Sequence, residues 1–587
     1  MLYEGNSLIS DPHQVANTFN IYFFYVTDDT RESEYVSNME VNEIISHYEN
    51  HPSIKLINDN QTNAQSFNFG TVCASLICKK LKCLKTKKAS GFDNISPKFL
   101  KIAATNLSLT LTPIINNSIT SMQYPDHAKR AIVSPLFKKS DQLDKANYRP
   151  LSILPSTSKL FEGVICEQIT NYMSDFLSKD LSAYRKHYSC NNVLVNCIEH
   201  WRKALDNNQY VGCILIDLSK AFDSLPHGLM IAKLHAYGFS IESCKYVLHY
   251  LSNRKQAVKI GSTKSNWQEL KTGVPQGSLT GPLLFNIFIN DFILQLRNTC
   301  SVYNYADDNT LAYSHSDPEV IKFKLEEASN IAIKWFNDNF MKANPSKFQA
   351  ICFGKNDLSL KFTIANNIIK TEQIVKLLGV ELDNKLSFNQ HVSLICKKAA
   401  RQLNAMYRIS KNLDYDSRMK IYESFIMSNF IYCSAAYNNL NSTNDRKIEK
   451  LNKRSLRLVC NNYTCSYSEL LKLTGKFMLY VYRKFHMIEH VYKTLNNLAL
   501  PIEPNFFERQ TTNYNLRDDN KLKQPNFKTV TYGFRSISCQ GPILWNKLPN
   551  DVKNVADFSS FKTSIRKCSI FTTCQCGSCI VCLKDNI

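Results

Sequence analysis

Residues 214–223 read ILIDLSKAFD, and this segment decides how the chain is expected to fold. The residues from Val211 to Ile216 are apolar and rich in β-branched side chains, which predicts a short buried strand. Asp217 ends the strand, and residues 218–237 are typical of a turn followed by a helix. Taken alone, Asp217 is best interpreted as an ordinary polar residue that closes a strand.

A second acidic segment, YADD, occupies residues 305–308 between two β-prone stretches. Acidic turn residues between such stretches predict a hairpin with both carboxylates at its tip. The next segment begins with Asp317 as N-cap and Pro318 in the first turn, and its apolar residues recur at helical spacing, which predicts an amphipathic helix with a core-facing stripe. A strand, a helix, a hairpin and a helix in this order predict an α+β layer with the acidic tip on one face.

A carboxylate at a strand end and a carboxylate pair at a hairpin tip would suit a pair of divalent ions. Nucleotidyl transfer uses two such ions about 3.5–4 Å apart, one at the attacking hydroxyl and one at the triphosphate. Mg²⁺ requires oxygen ligands, which these side chains supply.

The charge of the chain favours a polyanionic partner. The sequence has 71 Lys and Arg against 50 Asp and Glu, a net charge of +21, spread along its length. Such a field favours nucleic acid. We find no basic amphipathic anchor for a membrane surface and no apolar run of membrane-spanning length.

The cysteines predict an intracellular compartment, cytoplasm or nucleus. Most of the 20 cysteines stand singly in apolar runs, as Cys73, Cys78, Cys213 and Cys352 do, which is typical of buried free thiols. The first 30 residues also lack the pattern of a secretion signal. A reducing compartment is therefore expected.

The chain divides into four regions by composition. Residues 1–70 are polar and irregular, with a helix predicted from Val15, Phe19, Tyr22 and Phe23. The other predicted regions are residues 71–388, which contain both acidic segments, a basic and mostly helical region at 389–500, and a looser extension at 501–587.

The extension ends in Cys574, Cys576, Cys579 and Cys582. Four thiolates could bind Zn²⁺, but all four fall within nine residues and no knuckle with a histidine is present, whereas structural zinc usually joins two separated pairs. Reduced thiols in a tail are the preferred interpretation.

The order of the motifs identifies a family resemblance. The segment at 214–223, GVPQGS at 273–278 and YADD at 305–308 follow one another in the chain. In this order they resemble motifs A, B and C of the reverse transcriptase of non-LTR retrotransposons, especially the jockey-like group. Further segments match in the same order: NYRPLSIL at 147–154, AYRK at 183–186, LLFNIFIND at 283–291, Asn344 with Lys347, and LGVELD at 378–383. The resemblance runs from about residue 80 to about residue 400 and continues more faintly to residue 565.

This resemblance implies a right-hand polymerase fold, α+β, with fingers, a palm built on an antiparallel sheet, a mostly helical thumb and a loosely structured C-terminal extension. It implies RNA-directed DNA polymerase activity that uses two Mg²⁺ ions, for which Mn²⁺ can substitute. The implied partners are an RNA template, a DNA primer or target, and dNTPs.

It also implies which groups hold the metals. Asp217, Asp307 and Asp308 would be the metal carboxylates, and the carbonyl of Leu218 would be a further ligand. Asp223 is interpreted as a structural residue that orders the turn after motif A.

The remaining roles belong to the nucleotide. Arg149 resembles the fingers arginine that binds the triphosphate, since a planar guanidinium suits phosphate oxygens. Phe222 stands where an aromatic ring excludes the 2′ hydroxyl, and Gln276 stands against the incoming sugar with Gly277 leaving room beside it. Lys347 would protonate the leaving pyrophosphate, although a solvated lysine explains it equally well.

Three alternatives stay open from the sequence: a catalytically inactive nucleic-acid-binding remnant of a truncated element, an RNA-dependent RNA polymerase and a group II intron maturase. Phe222 argues against the RNA polymerase, and the spelling of the motifs argues against the maturase. Elements of this type commonly carry an endonuclease ahead of the polymerase. We expect none in this chain, and no RNase H domain in its C-terminal part.

Overall fold

The computed structural model describes residues 1–4, 7–25, 39–60, 66–218, 220–355, 357–499, 506–510 and 520–568. Helices account for 52% and strands for 15% of the structure, so the protein is a mixed α and β protein dominated by helix.

The strands are short and are numbered here in chain order. They are β1 (Leu2–Glu4), β2 (Ser7–Ile9), β3 (Arg130–Phe137), β4 (Tyr148–Ile153), β5 (Tyr210–Ile216), β6 (Arg254–Ile260), β7 (Thr263–Lys264), β8 (Gln268–Leu270), β9 (Ser301–Tyr305), β10 (Asp308–His315), β11 (Gln349–Phe353), β12 (Lys361–Ile364), β13 (Asn367–Lys370), β14 (Ile374–Leu377) and β15 (Val380–Asp383).

The α-helices up to residue 338 are α1 (Pro12–Tyr25), α2 (Val41–Tyr48), α3 (Pro52–Asp59), α4 (Ala74–Lys82), α5 (Pro97–Ile102), α6 (Ala104–Thr120), α7 (Ser158–Met173), α8 (Cys190–Asp206), α9 (His227–Ala236), α10 (Ile241–Leu251), α11 (Thr280–Leu296) and α12 (Pro318–Asp338). The later ones are α13 (Asn389–Ile409), α14 (Tyr415–Ile421), α15 (Ser428–Ile431), α16 (Ser442–Cys460), α17 (Tyr467–Thr474), α18 (Leu479–Leu495), α19 (Ile537–Asn546), α20 (Asn550–Lys553) and α21 (Phe558–Lys567).

The chain forms two compact units, each built from three separate segments. The first unit comprises residues 1–184, 217–298 and 330–345, and the second comprises residues 185–216, 299–329 and 346–587. One of the boundaries between the units falls at the end of β5, between Ile216 and Asp217.

The first unit contains a sheet with the strand order β4-β3-β6-β7, in which β8 also pairs with β6. Strand β3 runs antiparallel to β4 and parallel to β6. Helix α1 packs on this sheet, because its Val15 and Phe19 are buried with Val133 of β3 and Val258 of β6. The helix predicted near the N-terminus is thus confirmed.

The second unit contains an antiparallel sheet with the order β11-β5-β10-β9. The strand predicted at 211–216 is confirmed as β5, which has a neighbour on each side. Gly212 of β5 lies under α12: a Cβ atom there would stand 2.5 Å from Ile321 and 2.8 Å from Leu325. A glycine is therefore needed for α12 to approach the sheet so closely.

The amphipathic character of α12 is confirmed. Its stripe residues are all buried, and they are Ile321, Leu325, Ala328, Ala332 and Trp335. Asp317 accepts a hydrogen bond from the backbone N–H of Glu319 (3.0 Å), as an N-cap residue does.

Helix α8 supplies a second set of apolar side chains to the core that includes β5. Leu194, Ile198 and Trp201 are buried there with Val211 and Cys213. The same core continues through the helices that follow residue 389, where the sequence predicts helical structure.

The expectation of buried thiols is wrong for one of the four cysteines named above. Cys213 and Cys352 are buried and Cys78 is half-buried, but Cys73 is exposed. The reason is its position as the residue before α4, which buries Ile77 and Leu81 instead. Within the described residues, none of the helices is long and apolar enough to cross a membrane.

Candidate active site

The register of the four-stranded sheet decides where the acidic motifs lie. Asn309 of β10 pairs with Ile216, the last residue of β5. Asp308 pairs with Tyr305, so β9 and β10 are joined by a turn of two residues, Ala306 and Asp307. The carboxyl end of β5 and the turn of motif C therefore share one edge of the sheet, and Asp217 is the next residue after that end.

The structure refines the predicted hairpin. Asp307 lies in the turn and is half-buried, whereas Asp308 is the first residue of β10 and is exposed. Ala306 has φ of +59°, a left-handed conformation that is uncommon for a residue with a Cβ atom. The two carboxylates thus leave the backbone at different positions, one from the turn and one from the strand.

Two buried asparagines hold this turn in place. The side-chain amide of Asn304 donates to the carbonyl of Ala306 (2.8 Å) and to the side-chain oxygen of Asn309 (2.9 Å). The amide of Asn309 donates to the carbonyl of Asp307 (3.3 Å). Neither asparagine was predicted from the sequence as part of the site, although an asparagine on each side of an acidic turn is a signal, since asparagine readily bonds to a nearby turn backbone.

Asp217 is held through its backbone. Its carbonyl accepts a hydrogen bond from the N–H of Asn344 (3.3 Å), and the next residue, Leu218, forms an antiparallel bridge with Ala343. The segment that matches motif D is therefore attached to the end of motif A. The side chain of Asp217 is exposed, while that of Leu218 is buried.

Both acidic motifs carry oxygen donors of the kind that Mg²⁺ prefers. Within the described ranges, no three His, Cys, Asp or Glu side chains form a ready-made metal-binding group. Mg²⁺ does not require one, because it is commonly bound by one or two carboxylates together with water and substrate phosphates. The oxygen donors of the first unit are the carboxylate of Asp217 and the carbonyl of Leu218, and those of the second unit are the carboxylates of Asp307 and Asp308.

In the first unit, the loop that follows β5 is tied to the motif B loop by backbone hydrogen bonds. The N–H of Val274 donates to the carbonyl of Phe222 and that of Gly273 to the carbonyl of Leu225, both at 2.9 Å. A Cβ atom at Gly273 would stand 2.5 Å from the carbonyl oxygen of Asp223. The two loops therefore depend on each other for their positions.

The motif B loop is in turn attached to β4. The N–H of Ser152 donates to the carbonyl of Gln276 (2.8 Å). Gly277 has φ of +129°, and a Cβ atom there would lie 2.4 Å from the carbonyl oxygen of Ser152. Arg149 is on the same strand and is exposed. The structure thus joins the segments that carry Arg149, Phe222, Gln276 and Gly277.

The side chain of Gln276 is fixed by Asp223. Its amide nitrogen donates to both carboxylate oxygens of Asp223, each at 3.0 Å. Burial raises the pKa of Asp223 to about 6, while the bonds from Gln276 and the charge of Lys220 act in the opposite direction. Asp223 therefore orders this region, in agreement with the structural role inferred from the sequence.

Phe222 lies in a row of aromatic rings. It stacks on Phe285 of α11, with the ring centroids 4.5 Å apart and the planes inclined by 29°. The ring of Tyr184 meets it edge-on, at 5.9 Å and 90°. Phe222 is half-buried, so one part of its ring is packed and another is accessible.

Lys347 ends a single 3₁₀ turn, Pro345–Lys347, and is exposed. The four cysteines predicted as an alternative zinc site, Cys574, Cys576, Cys579 and Cys582, lie outside the described residues.

Comparison with known proteins finds a family similarity for the central part of the chain. Residues 137–382 match the family model described as reverse transcriptase (RNA-dependent DNA polymerase). This range includes motifs A, B and C and the strand that carries Arg149.

Similar sequences come from mobile elements of flies. The chain is 25% identical over 406 residues to the probable RNA-directed DNA polymerase from transposon BS of Drosophila melanogaster, which covers 67% of this chain and 44% of the relative. It is 25% identical over 394 residues to the RNA-directed DNA polymerase from mobile element jockey of Drosophila funebris, an alignment that covers 64% of this chain and 42% of the relative. It is 26% identical over 390 residues to the probable RNA-directed DNA polymerase from transposon X-element of Drosophila melanogaster, an alignment that covers 63% of this chain and 42% of the relative. In each case the chain spans less than half of the relative's length.

Proposed function

We propose that residues 137–382, which match the reverse transcriptase family model, form a reverse transcriptase domain related to those of non-LTR retrotransposons, and that the protein extends the 3′ end of a DNA primer on an RNA template. In this proposal, residues 71–388 are the fingers and palm of a right-hand polymerase and residues 389–500 are its thumb. Residues 1–70 precede the polymerase and residues 501–587 form an extension.

The observation that carries the proposal is the pairing of Ile216 with Asn309. This register brings the end of motif A and the turn of motif C to one edge of the sheet, although about 90 residues separate them in the chain. Two acidic motifs at one edge are what a two-metal site requires. If each motif were only a turn, nothing would require the strands that carry them to pair in this register.

Asp217 and Asp307 are the proposed ligands of two Mg²⁺ ions, with Asp308 and the carbonyl of Leu218 as further oxygens. When bound, the metals lower the pKa of the primer 3′ hydroxyl and neutralise charge on the triphosphate. The asparagines at 304 and 309 contribute by holding the motif C turn, so that the carboxylate of Asp307 keeps its place.

The nucleotide is proposed to bind where β4 meets the motif B loop. Arg149 is exposed there, and its guanidinium suits the triphosphate oxygens. Gln276, held by Asp223, would lie against the sugar, and Gly277 lets the backbone pass close to β4. Lys347 is the proposed donor of a proton to the leaving pyrophosphate.

Phe222 is the proposed selector of deoxynucleotides. Because Phe285 supports one face of its ring, the ring cannot easily move aside for a 2′ hydroxyl. The proposal therefore predicts poor use of ribonucleotides.

The surface charge of the proposed thumb supports binding of a primer–template duplex. Helix α13 contains no acidic residue, and the two acids of α16, Asp445 and Glu449, are buried. The exposed charges of the two helices are therefore all basic, and they are Lys397, Lys398, Arg401, Arg408, Arg446, Lys447, Lys450 and Arg454. A backbone of phosphates is the natural partner of such a surface.

The test is incorporation of dNTPs on an RNA template with an annealed DNA primer in Mg²⁺. We expect activity in the wild type and a loss of at least a hundredfold in Asp307→Asn, which keeps the size of the side chain and removes its charge. Asp551→Asn, at an exposed acid of α20, is the matched control and should keep full activity. Equal incorporation by wild type and Asp307→Asn would favour the inactive nucleic-acid-binding remnant.

A further inference from the structure

Helix α1 contacts each of the segments to which nucleotide-binding residues are assigned. On β4, the ring of Phe19 meets the ring of Tyr148 edge-on, with 4.9 Å between centroids and an angle of 69°. Tyr148 directly precedes Arg149 in the strand. This contact places α1 against the strand that carries the proposed triphosphate ligand.

A second contact reaches the loop after β5. The ammonium group of Lys220 donates to the hydroxyl of Tyr22 (2.8 Å) and lies 4.4 Å from the centroid of its ring. Lys220 has φ of +53°, an uncommon backbone conformation for a lysine. A side-chain anchor on α1 helps to explain how the loop keeps this conformation.

A third contact involves the motif B loop. Phe23 and Phe24 of α1 line a cavity of about 30 Å³ together with Asp223 and Gln276. A space of this size has room for a water molecule and little more. The side chains of α1 are thus close neighbours of the carboxylate that fixes Gln276.

The helix itself is anchored away from these loops. The amide of Asn20 donates to the carbonyl of Asn266 (2.9 Å), and its side-chain oxygen accepts from Gln256 (3.1 Å). Asn17 accepts from the N–H of Asn266 (3.0 Å). With Asn20 buried, α1 is fixed to the β6 region and can hold the loops against a stable base.

We propose that α1 is a positioning element for the nucleotide pocket and that Tyr22, through Lys220, is its main positioning residue. The inference rests on the proposed polymerase function and deepens it. Lys220 continues directly into the loop that carries Phe222 and Asp223, and Asp223 holds Gln276. A looser Lys220 therefore weakens nucleotide binding without removing any group that performs the chemistry.

The experiment compares Tyr22→Phe, which keeps the ring and removes the hydroxyl, with Tyr25→Phe. Tyr25 is an exposed tyrosine on the same helix, so it controls for loss of a hydroxyl. We expect Tyr22→Phe to raise KM for dNTP about fivefold with kcat nearly unchanged, as one hydrogen bond of ordinary net strength would. Lys220→Met should have a similar effect, and combining it with Tyr22→Phe should add little.

Amide hydrogen exchange in the peptides that cover residues 218–226 provides a readout independent of activity. Exchange should be faster in Tyr22→Phe than in the wild type and unchanged in Tyr25→Phe. The inference would be overturned if Tyr22→Phe left the exchange in residues 218–226 unchanged. It would also be overturned if Tyr22→Phe and Tyr25→Phe had the same KM for dNTP. If the wild type incorporates no dNTP, the proposed function is wrong, and the exchange data alone then decide whether α1 positions the loop.

Discussion

Substitution of Gly277 by alanine tests the proposed pocket most directly. The new Cβ atom would lie 2.4 Å from the carbonyl oxygen of Ser152, which is backbone and cannot rotate away. The motif B loop must therefore move off β4, which breaks the hydrogen bond from the N–H of Ser152 to the carbonyl of Gln276. We expect a loss of nucleotide use with little loss of global fold, because the contact is confined to a loop.

The size of the effect follows from two terms. A residue with a Cβ atom at φ of +129° costs about 1–3 kcal/mol in backbone strain. The lost hydrogen bond costs about 1 kcal/mol. If the pocket bears the whole of about 2–4 kcal/mol, kcat/KM for dNTP falls roughly thirtyfold to several hundredfold.

The assay is steady-state incorporation of a single dNTP on an RNA template, with the melting temperature measured alongside. Gly261→Ala is the matched control, because Gly261 also has a positive φ (+60°) but has nothing within 4 Å of its Cβ position. This control should lose a little stability and keep its kinetics. If Gly277→Ala stayed within twofold of the wild type, the contact between the motif B loop and β4 would not shape the pocket.

Three further outcomes are expected. Asn304→Leu removes the hydrogen bond that holds the carbonyl of Ala306. It should lower the free energy of unfolding by about 2 kcal/mol, measured by denaturant titration, and reduce kcat, measured by dNTP incorporation. Unchanged values would show that the turn needs no such anchor. The pKa of Asp223 is about 6 in the folded protein, against 3.8 for an ordinary aspartate. Because the pKa is raised on folding, the contribution of Asp223 to stability falls as pH rises from about 4 to 6. The ionised carboxylate, however, is the form that holds Gln276. KM for dNTP should therefore fall as pH rises through about 6 in the wild type but stay flat in Asp223→Asn, and a fall in both would assign the titration to another group. Phe222→Val should raise incorporation of ribonucleotides relative to deoxynucleotides at least tenfold in a competition assay, whereas an unchanged ratio would remove Phe222 from sugar selection.

Local patterns were sufficient to predict the elements that carry the acidic motifs. The run from Val211 to Ile216 is apolar without interruption, as a central strand buried on both faces requires, and it forms β5. The helix from Pro318 was predictable because its cap and its apolar period lie within a few turns of each other. The exposure of Cys73 could not be predicted, since the packing of α4 decides which residues in and next to this helix are buried.

Pairings between distant segments could not be predicted in this way. The bond between Asp223 and Gln276 joins residues 53 positions apart, and that between Lys220 and Tyr22 joins residues 198 positions apart. No periodicity within either segment specifies its partner. The resemblance to a family supplied the motif positions, but the side chains that fix those motifs are visible only in the structure.

The position of β5 in its sheet has a consequence for synthesis of the protein. Both strands that flank it, β10 and β11, come later in the chain, so β5 leaves the ribosome with two open, apolar edges. One edge stays open until β10 has emerged, at His315, and the other until β11 has emerged, at Phe353. An unpaired apolar strand readily associates with other chains. A nascent chain cannot pair the end of motif A with motif C before β10 has emerged, so a product that ends before Asp308 lacks this pairing.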